Sequence, residues 1–390
     1  MFIVVLESSL VREYYYHDLE KLIRFIKPSI VWKNQVGFMD DIQSELEKLR
    51  KKSTPDDRLL ITYYNHLWEP VLNLASVLGW RERTIEQNWL NDEDLKNICN
   101  LAGWDVVTSQ KRMLMPLNLG IISEVINKWL AHLPLINRLC LTTWLVARPK
   151  PKERKEYSVS IIVPARNEAG NIARIPKEIP KFGKWQEIIF VEGGSKDNTW
   201  KEILKIKGRN IKAFKQRGTG KADAMHLGLR RAKGEILMIL DGDITVNPKD
   251  LPKFYEILAS GLGEFANGNR LMYPQERDAM RMLNKVGNKV FGWLLTLILG
   301  QTFRDTLCGT KVVFRRDYMR MLKNRKMFGN FDPYGDFDLI FGAVKLSLKA
   351  VNVPVRYRER TYGSTNISRF LHGWLLLKMS WFGFLKFKAW

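Results

Sequence analysis

Apolar and polar positions change rhythm about 150 residues into the chain. From Val159 onward, short β-rich runs alternate with helical stretches of about ten residues. Val159-Ser-Ile-Ile-Val163 is predicted as a strand, Gly170 to Ile179 as loosely helical, and Glu187-Ile-Ile-Phe-Val191 as a second strand. Asn198 to Lys207 is predicted as a helix after a Ser-Lys-Asp-Asn-Thr turn. Ile211 to Phe214 makes a third strand, Lys221 to Ala232 a helix, and Glu235-Ile-Leu-Met-Ile-Leu240, apolar from Ile236 onward, a fourth strand. Strands alternating with helices predict an α/β domain with a largely parallel sheet covered on both faces. In such sheets ligands bind beyond the carboxyl ends of the strands.

The earlier part of the chain is less regular. Arg58-Leu-Leu-Ile-Thr-Tyr-Tyr64 reads as a strand. Pro70 to Leu78 and Glu93 to Ala102 read as helices, the second started by Asn91 and Asp92, and Leu117 to Ala147 as amphipathic and helical in parts. The two regions meet at Arg148-Pro-Lys-Pro-Lys-Glu-Arg-Lys-Glu156, whose charges and prolines suit a linker. The expected organisation is therefore a partial domain over 1–147, a linker over 148–156, an α/β domain over 157–363, and a distinct C-terminal segment over 364–390. For 390 residues this agrees with roughly 150 residues per domain.

Charge separates the same two regions. The net charge is +22, of which residues 1–150 hold only +1 and the remainder +21. No acidic residue follows Glu359, whereas Arg360, Arg369, Lys378, Lys386 and Lys388 do. Such a surface calls for an anionic partner: lipid headgroups, a phosphorylated substrate or nucleic acid. Phe370, Trp374, Trp381, Phe382, Phe384, Phe387 and Trp390 interleave these cations, which reads as an interfacial membrane helix, or as a basic helix packing its aromatics on the domain. No apolar stretch reaches the ~18–20 residues of a spanning helix, and no secretory signal is recognisable, so a peripheral location on the cytoplasmic membrane face is expected. Cys99, Cys140 and Cys308 are odd in number and widely spaced, which fits neither a disulfide framework nor a Cys-x-x-Cys metal clip.

The fourth strand ends in Asp241-Gly-Asp243. Two carboxylates on alternate residues at a strand end can share a hard cation such as Mg²⁺, which completes its shell with substrate phosphate oxygens. The bare spacing recurs at Asp92/Asp94, explained by helix capping, and at Asp336/Asp338, so the apolar strand before Asp241 is what makes this pair informative. Other strand ends add Val163-Pro-Ala-Arg-Asn-Glu168, Val191-Glu-Gly-Gly-Ser195, and Arg217-Gly-Thr-Gly-Lys221, a glycine-rich basic turn opening a helix, where phosphate can bind. His226 and His372 read as packing or surface residues rather than metal ligands.

These strand ends, with Gly218-Thr-Gly-Lys-Ala-Asp-Ala224, resemble in this order the family-2 glycosyltransferases of GT-A fold, over about residues 157–370. Asn267-Gly-Asn-Arg270, Asp305-Thr-Leu-Cys-Gly-Thr310, Gly335-Asp-Phe-Asp338, Asn352-Val-Pro-Val355 and Arg356 to Arg360 resemble the dolichyl-phosphate mannosyltransferase branch. The resemblance implies that Pro164, Arg166, Glu168, Glu192, Gly220, Lys221, Asp223 and Asp241 bind a UDP- or GDP-hexose, with Glu168 and Glu192 toward the nucleoside. It implies that Asp241 and Asp243 hold Mg²⁺ or Mn²⁺, and that Arg270, Thr306, Gly309 and Arg360 meet phosphate or acceptor. Two departures stand out: Glu192-Gly193 replaces the usual two Asp, and Thr245 stands where the branch often has a Gln metal ligand.

The expected reaction is metal-dependent, inverting transfer of a hexose to a polyprenyl phosphate at a membrane face. A hydroxyl acceptor on a glycan is the alternative and would require a base, for which Asp336 and then Asp338 are the candidates. The ordinary reading of that pair is charge favoured at a helix N-terminus. A basic nucleic-acid- or membrane-binding module with a degenerate catalytic domain is the more distant alternative. It leaves Asp241 and Asp243 unexplained, and no nucleic-acid partner is expected. Residues 1–147 resemble the distal half of a class I methyltransferase, through Arg58 to Pro70, Asn88-Trp-Leu90 and Ala102-Gly-Trp-Asp-Val-Val107. No G-x-G turn follows a strand there, so S-adenosylmethionine binding and methyl transfer are not expected.

Overall fold

The computed structural model describes residues 9–78, 87–274, 282–324, 335–363 and 369–388. Of the expected C-terminal segment, 364–368 and 389–390 lie outside these, as does the His372 side chain. Contacts divide the chain into two compact units, one of residues 1–151 with 384–390, the other of residues 152–383.

The first unit is built on a four-stranded sheet of order β1-β2-β4-β3, with β1 (Ile30–Lys33), β2 (Leu59–Tyr64), β3 (Trp104–Arg112) and β4 (Thr142–Pro149). β1 runs parallel to β2, and β4 pairs antiparallel with both β2 and β3. Side chains alternate across β2. Leu59 and Ile61 pack with Leu46, Leu95, Cys99 and Trp104, whereas Leu60 packs with Trp144 and Val146 beneath Leu19, Leu22 and Ile26. Asn91 caps helix Asp92–Leu101 by accepting from the Asp94 N–H, and Asp94 reciprocates, so capping accounts for the acidic run at this helix start. One expectation is completed and one corrected. Leu117 to Ala147 is helical only over Ile121–Lys128 and in two 3-10 turns; its last residues form β4, whose side chains are buried on both faces. Arg148 is not linker but the buried end of β4, paired with Asp105 at 2.9 Å.

The second unit holds a seven-stranded sheet of order β11-β9-β10-β8-β5-β6-β7. Its strands are β5 (Ser158–Ala165), β6 (Trp185–Glu192), β7 (Ile211–Lys215), β8 (Ile236–Ile239), β9 (Phe265–Asn269), β10 (Lys311–Phe314) and β11 (Ala350–Pro354). The four expected strands are β5, β6, β8 and β7, paired in parallel. β10 alone is reversed, lying antiparallel between β8 and β9, and β11 follows β9 in parallel. The mostly parallel α/β sheet expected from the alternation is therefore present. Gly170 to Ile179 is two single helical turns, Ala169–Ile172 and Ile175–Glu178, the second opened by Pro176.

This topology has one consequence for function. The carboxyl ends of β5, β6, β7, β8, β9 and β11 and the amino end of the reversed β10 all lie along one edge. Helix Gly220–Arg231 is seated against β5 and β6 through Gly228, where a Cβ would lie 3.1 Å from Val191 Cγ2 and closer still to Ile162 Cγ2. Gly228→Ala should therefore destabilise the unit by about 1–3 kcal/mol through overpacking, although alanine is the better helix former. Urea denaturation followed by far-UV circular dichroism measures this, and an unchanged midpoint would refute the close packing.

Candidate active site

The apolar β8 brings Asp241 to the edge, where the backbone turns sharply. The Ile244 N–H donates to the Asp241 carbonyl, and Ile244 adopts φ +54°, an uncommon conformation for a β-branched residue and one concentrated at functional sites. Asp241 and Asp243 in this turn both act electrostatically on Lys221 and Glu168. Asp243 is fixed by Thr245, whose hydroxyl (2.8 Å) and N–H (3.1 Å) both donate to its Oδ1.

Around these carboxylates, charges alternate in sign. Lys221, at the start of helix Gly220–Arg231, lies 2.7 Å from Asp241 and 4.0 Å from Asp336. Asp336, the first residue of helix Asp336–Lys345, pairs at 3.0 Å with Lys311, the fully buried first residue of β10. Arg360 bridges Asp243 at 2.6 Å and Glu168 at 2.9 Å. Beside them Arg270, just past β9, is held by both oxygens of the buried Asp305 (2.7 and 2.9 Å) and lies over the Tyr357 ring. Against the desolvation that burial imposes, Asp241 and Asp336 hold the Lys221 ammonium above its ordinary range. Desolvation likewise opposes, and Lys221 outweighs it to produce, a lowered Asp241 pKa. Glu168 behaves oppositely: burial pushes it up to about 7, against the pull of Arg360 and of the hydrogen bond from Asn171.

Close approach is needed beside Asp241. A Cβ on Gly309 would fall 2.6 Å from both the Asp241 carboxyl carbon and Lys221 Nζ, so a larger residue in the loop before β10 would displace this ion pair. In the same loop and at the head of β10, the hydroxyls of Thr306 and Thr310 are buried and have no hydrogen-bond partner among the described residues. Buried polar groups without partners mark places where a ligand's polar atoms fit. Across the site the segment carrying Arg360 is latched down. The Tyr362 hydroxyl meets Asp197 at 3.1 Å, the Thr361 hydroxyl donates to Asn171, and Gly170 leaves no room for a Cβ beneath the Tyr362 ring.

The edge thus brings together Glu168, Lys221, Asp241, Asp243, Arg270, Thr306, Gly309, Asp336 and Arg360. Other expected residues are placed differently. Asp223 accepts from the Gly218 N–H and fastens the glycine-rich turn, with Gly220 at φ +86°. Glu192 accepts from the Ser195 N–H, Pro164 lies within β5, and Arg166 is exposed. Asp338 lies 3.3 Å from the buried His226, which also meets the Tyr318 hydroxyl, so it braces two helices. Sequence reasoning missed Lys311 and the pairing of Asp305 with Arg270. The available signal was a lysine opening the apolar run Lys311-Val-Val-Phe314.

Asp241 and Asp243 suit a hard divalent cation that takes its remaining ligands from diphosphate and water. No cluster of three or more His, Cys, Asp or Glu that could serve as a protein-only cage occurs among the described residues.

Residues 160–327 match the model of Glycosyl transferase family 2. The chain is similar to glycosyltransferase AglJ of Haloferax volcanii, at 28% identity over 56% of this chain and 69% of that one. It is also similar to the UDP-N-acetylglucosamine–dolichyl-phosphate N-acetylglucosaminyltransferase of Methanococcus voltae, at 24% identity over 57% and 96%. Among solved structures, glucosyl-3-phosphoglycerate synthase of Mycobacterium tuberculosis, with Mn²⁺, UDP and its product, aligns over 59% of this chain and 80% of that one, with a TM-score of 0.43 and 15% identity.

The Glu168 carboxyl supplies a pH test with a defined sign. Its folded pKa lies above its ordinary value, so the folded state holds the extra proton between about pH 4.5 and 7. Its contribution to stability therefore falls as pH rises through that window and is flat above it. In metal-free buffer, Glu168→Gln should gain melting temperature relative to the parent chain between pH 5 and pH 8. A difference independent of pH would show that Glu168 is not raised.

Proposed function

We propose, from the premise that residues 160–327 form a family-2 glycosyltransferase domain, that the chain moves a hexose from a nucleoside-diphosphate sugar to a polyprenyl phosphate, inverting the anomeric centre. The observation that carries this reading is the site's charge pattern. Lys221, Arg270, Lys311 and Arg360 alternate along one sheet edge with Asp241, Asp243, Glu168, Asp305 and Asp336, so a divalent cation taken up by Asp241 and Asp243 would release Lys221 and Arg360 toward phosphate. The named substrate of the Methanococcus voltae relative, a dolichyl phosphate, supports the acceptor class.

In the proposed reaction, an acceptor phosphate oxygen bonds to the anomeric carbon from the face opposite the leaving group. The bond from that carbon to the β-phosphate oxygen breaks, and its electron pair leaves with the nucleoside diphosphate. Mg²⁺ or Mn²⁺ held by Asp241 and Asp243 would neutralise charge on the donor diphosphate. Lys221 and Arg360, which border those carboxylates, would meet the charge that grows on the β-phosphate. Arg270 and the Thr306 and Thr310 hydroxyls, which have no hydrogen-bond partner among the described residues, would meet the acceptor phosphate, with the buried Lys311 acting behind them through Asp336. That nucleophile is already anionic and requires no base. Asp336, buried against Lys311, then acts by orienting the two lysines, and Asp338 acts through His226.

A membrane-face location supports access to such an acceptor. No helix among the described residues is long and apolar enough to cross a membrane. Two helices nevertheless expose apolar stripes: Met282, Val286, Val290 and Trp293 on helix Met282–Leu299, and Trp374, Leu377 and Trp381 on helix Arg369–Phe387, where Lys378 lies over the Trp374 ring. The first unit, a half-sheet without a glycine-rich turn, is assigned no methyl transfer.

Thermal shifts with UDP and with GDP, each with and without Mn²⁺, test the donor site. One nucleotide should raise the melting temperature only with metal, and Asp243→Asn should abolish that shift. Sugar transfer to dolichyl phosphate should fall on the order of 100-fold or more in the same variant. Transfer to a glycan hydroxyl but not to polyprenyl phosphate would overturn the acceptor assignment, and a metal-independent nucleotide shift would overturn the role of the carboxylate pair.

A further inference from the structure

The first unit contains a helix whose polarity is reversed. In helix Ile121–Lys128 the buried residue is Ser123, whose hydroxyl donates to the Leu117 carbonyl and accepts from the Leu119 N–H at 2.7 Å. One turn on, Asn127 donates to the Met115 carbonyl (2.8 Å) and accepts from the Met115 N–H (2.9 Å). These polar side chains are tied to the protein's own backbone, while Ile121, Ile122 and Val125 face outward, Ile121 with 80% exposure. The exposed apolar surface continues past the helix through Trp129, Leu135 (77% exposed) and Leu139. A surface helix folded for water has the opposite arrangement. Contiguous apolar surface of this kind marks an interaction site.

We propose that residues 117–139 are a membrane-inserting element carried by the N-terminal unit, separate from the apolar helices of the transferase unit. The proposal rests on the reading that the chain works at a membrane face. Three observations favour a lipid surface as the occupant. Trp129 lies within the patch, and tryptophan is enriched at the headgroup level. The Trp129 ring stacks on Phe384 at 5.1 Å, so within the first unit the patch extends onto a further aromatic side chain. The segment's one acidic residue, Glu124, is paired with Lys128, and Arg138 is exposed, so its charge suits anionic headgroups. Shallow insertion of a few apolar side chains is weak and reversible by itself. Joined in one chain to a second such element, it gains through effective concentration.

The three native thiols are buried, so Leu135→Cys places one accessible thiol in the patch for a polarity-sensitive fluorophore. The full chain is mixed with phosphatidylcholine vesicles doped with phosphatidylglycerol, and flotation is measured alongside. A blue shift on vesicle addition is expected. I121S/I122S should lower the vesicle-bound fraction several-fold in high salt with an unchanged melting temperature. Flotation without a spectral shift would overturn this proposal and leave the membrane reading standing. Absence of flotation in the parent chain would overturn both. A vesicle-independent shift that grows with protein concentration, lost when I121S/I122S turns a dimer into a monomer, would assign the patch to a second copy of the chain instead.

Discussion

A carboxylate at the end of a buried strand must be answered by a cation, and the arrangement of the second unit follows from that requirement. Removing an ionised group from water costs several kcal/mol unless a partner offsets it, by about the margin on which a whole domain's stability rests. Asp241 emerges from the apolar β8 and is met by Lys221. Lys221 is shared with Asp336, which is met in turn by Lys311. Asp243 is met by Arg360, which also reaches Glu168. Each pair ties a different element to the edge: helix Gly220–Arg231, helix Asp336–Lys345, the head of β10 and the segment after β11. The same pairs that hold these elements together provide the charges that the proposed donor diphosphate and divalent cation would rearrange.

That double use explains the backbone around the site. Ile244 at positive φ shapes the turn that carries the carboxylates, Gly309 approaches the Asp241–Lys221 pair closely, and Thr245 fastens Asp243. Thr245, two residues on from Asp243, orients it through both its hydroxyl and its N–H. The raised Glu168 marks the other extreme, an acid whose cation is shared and whose burial is only partly compensated. The Arg270–Asp305 pair is fully compensated by comparison, with two side-chain contacts and a backbone N–H on one carboxylate.

The two units place their apolar surface differently. In the first, the sheet is covered on both faces, yet Ser123 and Asn127 turn inward and Ile121 and Ile122 turn outward. An apolar–polar pattern identifies an amphipathic stretch but not which side meets the protein. The pattern at Leu117 to Ala147 therefore left both the helix orientation and the β-strand at its end undecided. Thr142 to Ala147 is apolar and β-branched enough to be either buried helix or buried strand, and pairing with β2 and β3 decides it.

The sequence by itself determined the α/β alternation, the position of β5 to β8, the Asp241-Gly-Asp243 strand end, the capping of Asp92 and Asp94, and the concentration of positive charge after residue 150. Each of these depends on local spacing or composition, which backbone geometry translates directly. The tertiary structure decided the reversal of β10, the meeting of Lys221 with Asp241, the burial of Lys311 against Asp336, the bridge made by Arg360, and the turning of Asp338 toward His226. These depend on contacts between residues up to 192 positions apart, as in Glu168 and Arg360. Strand order and the charge balance of a buried cluster select such partners, and neither is written in the spacing along the chain.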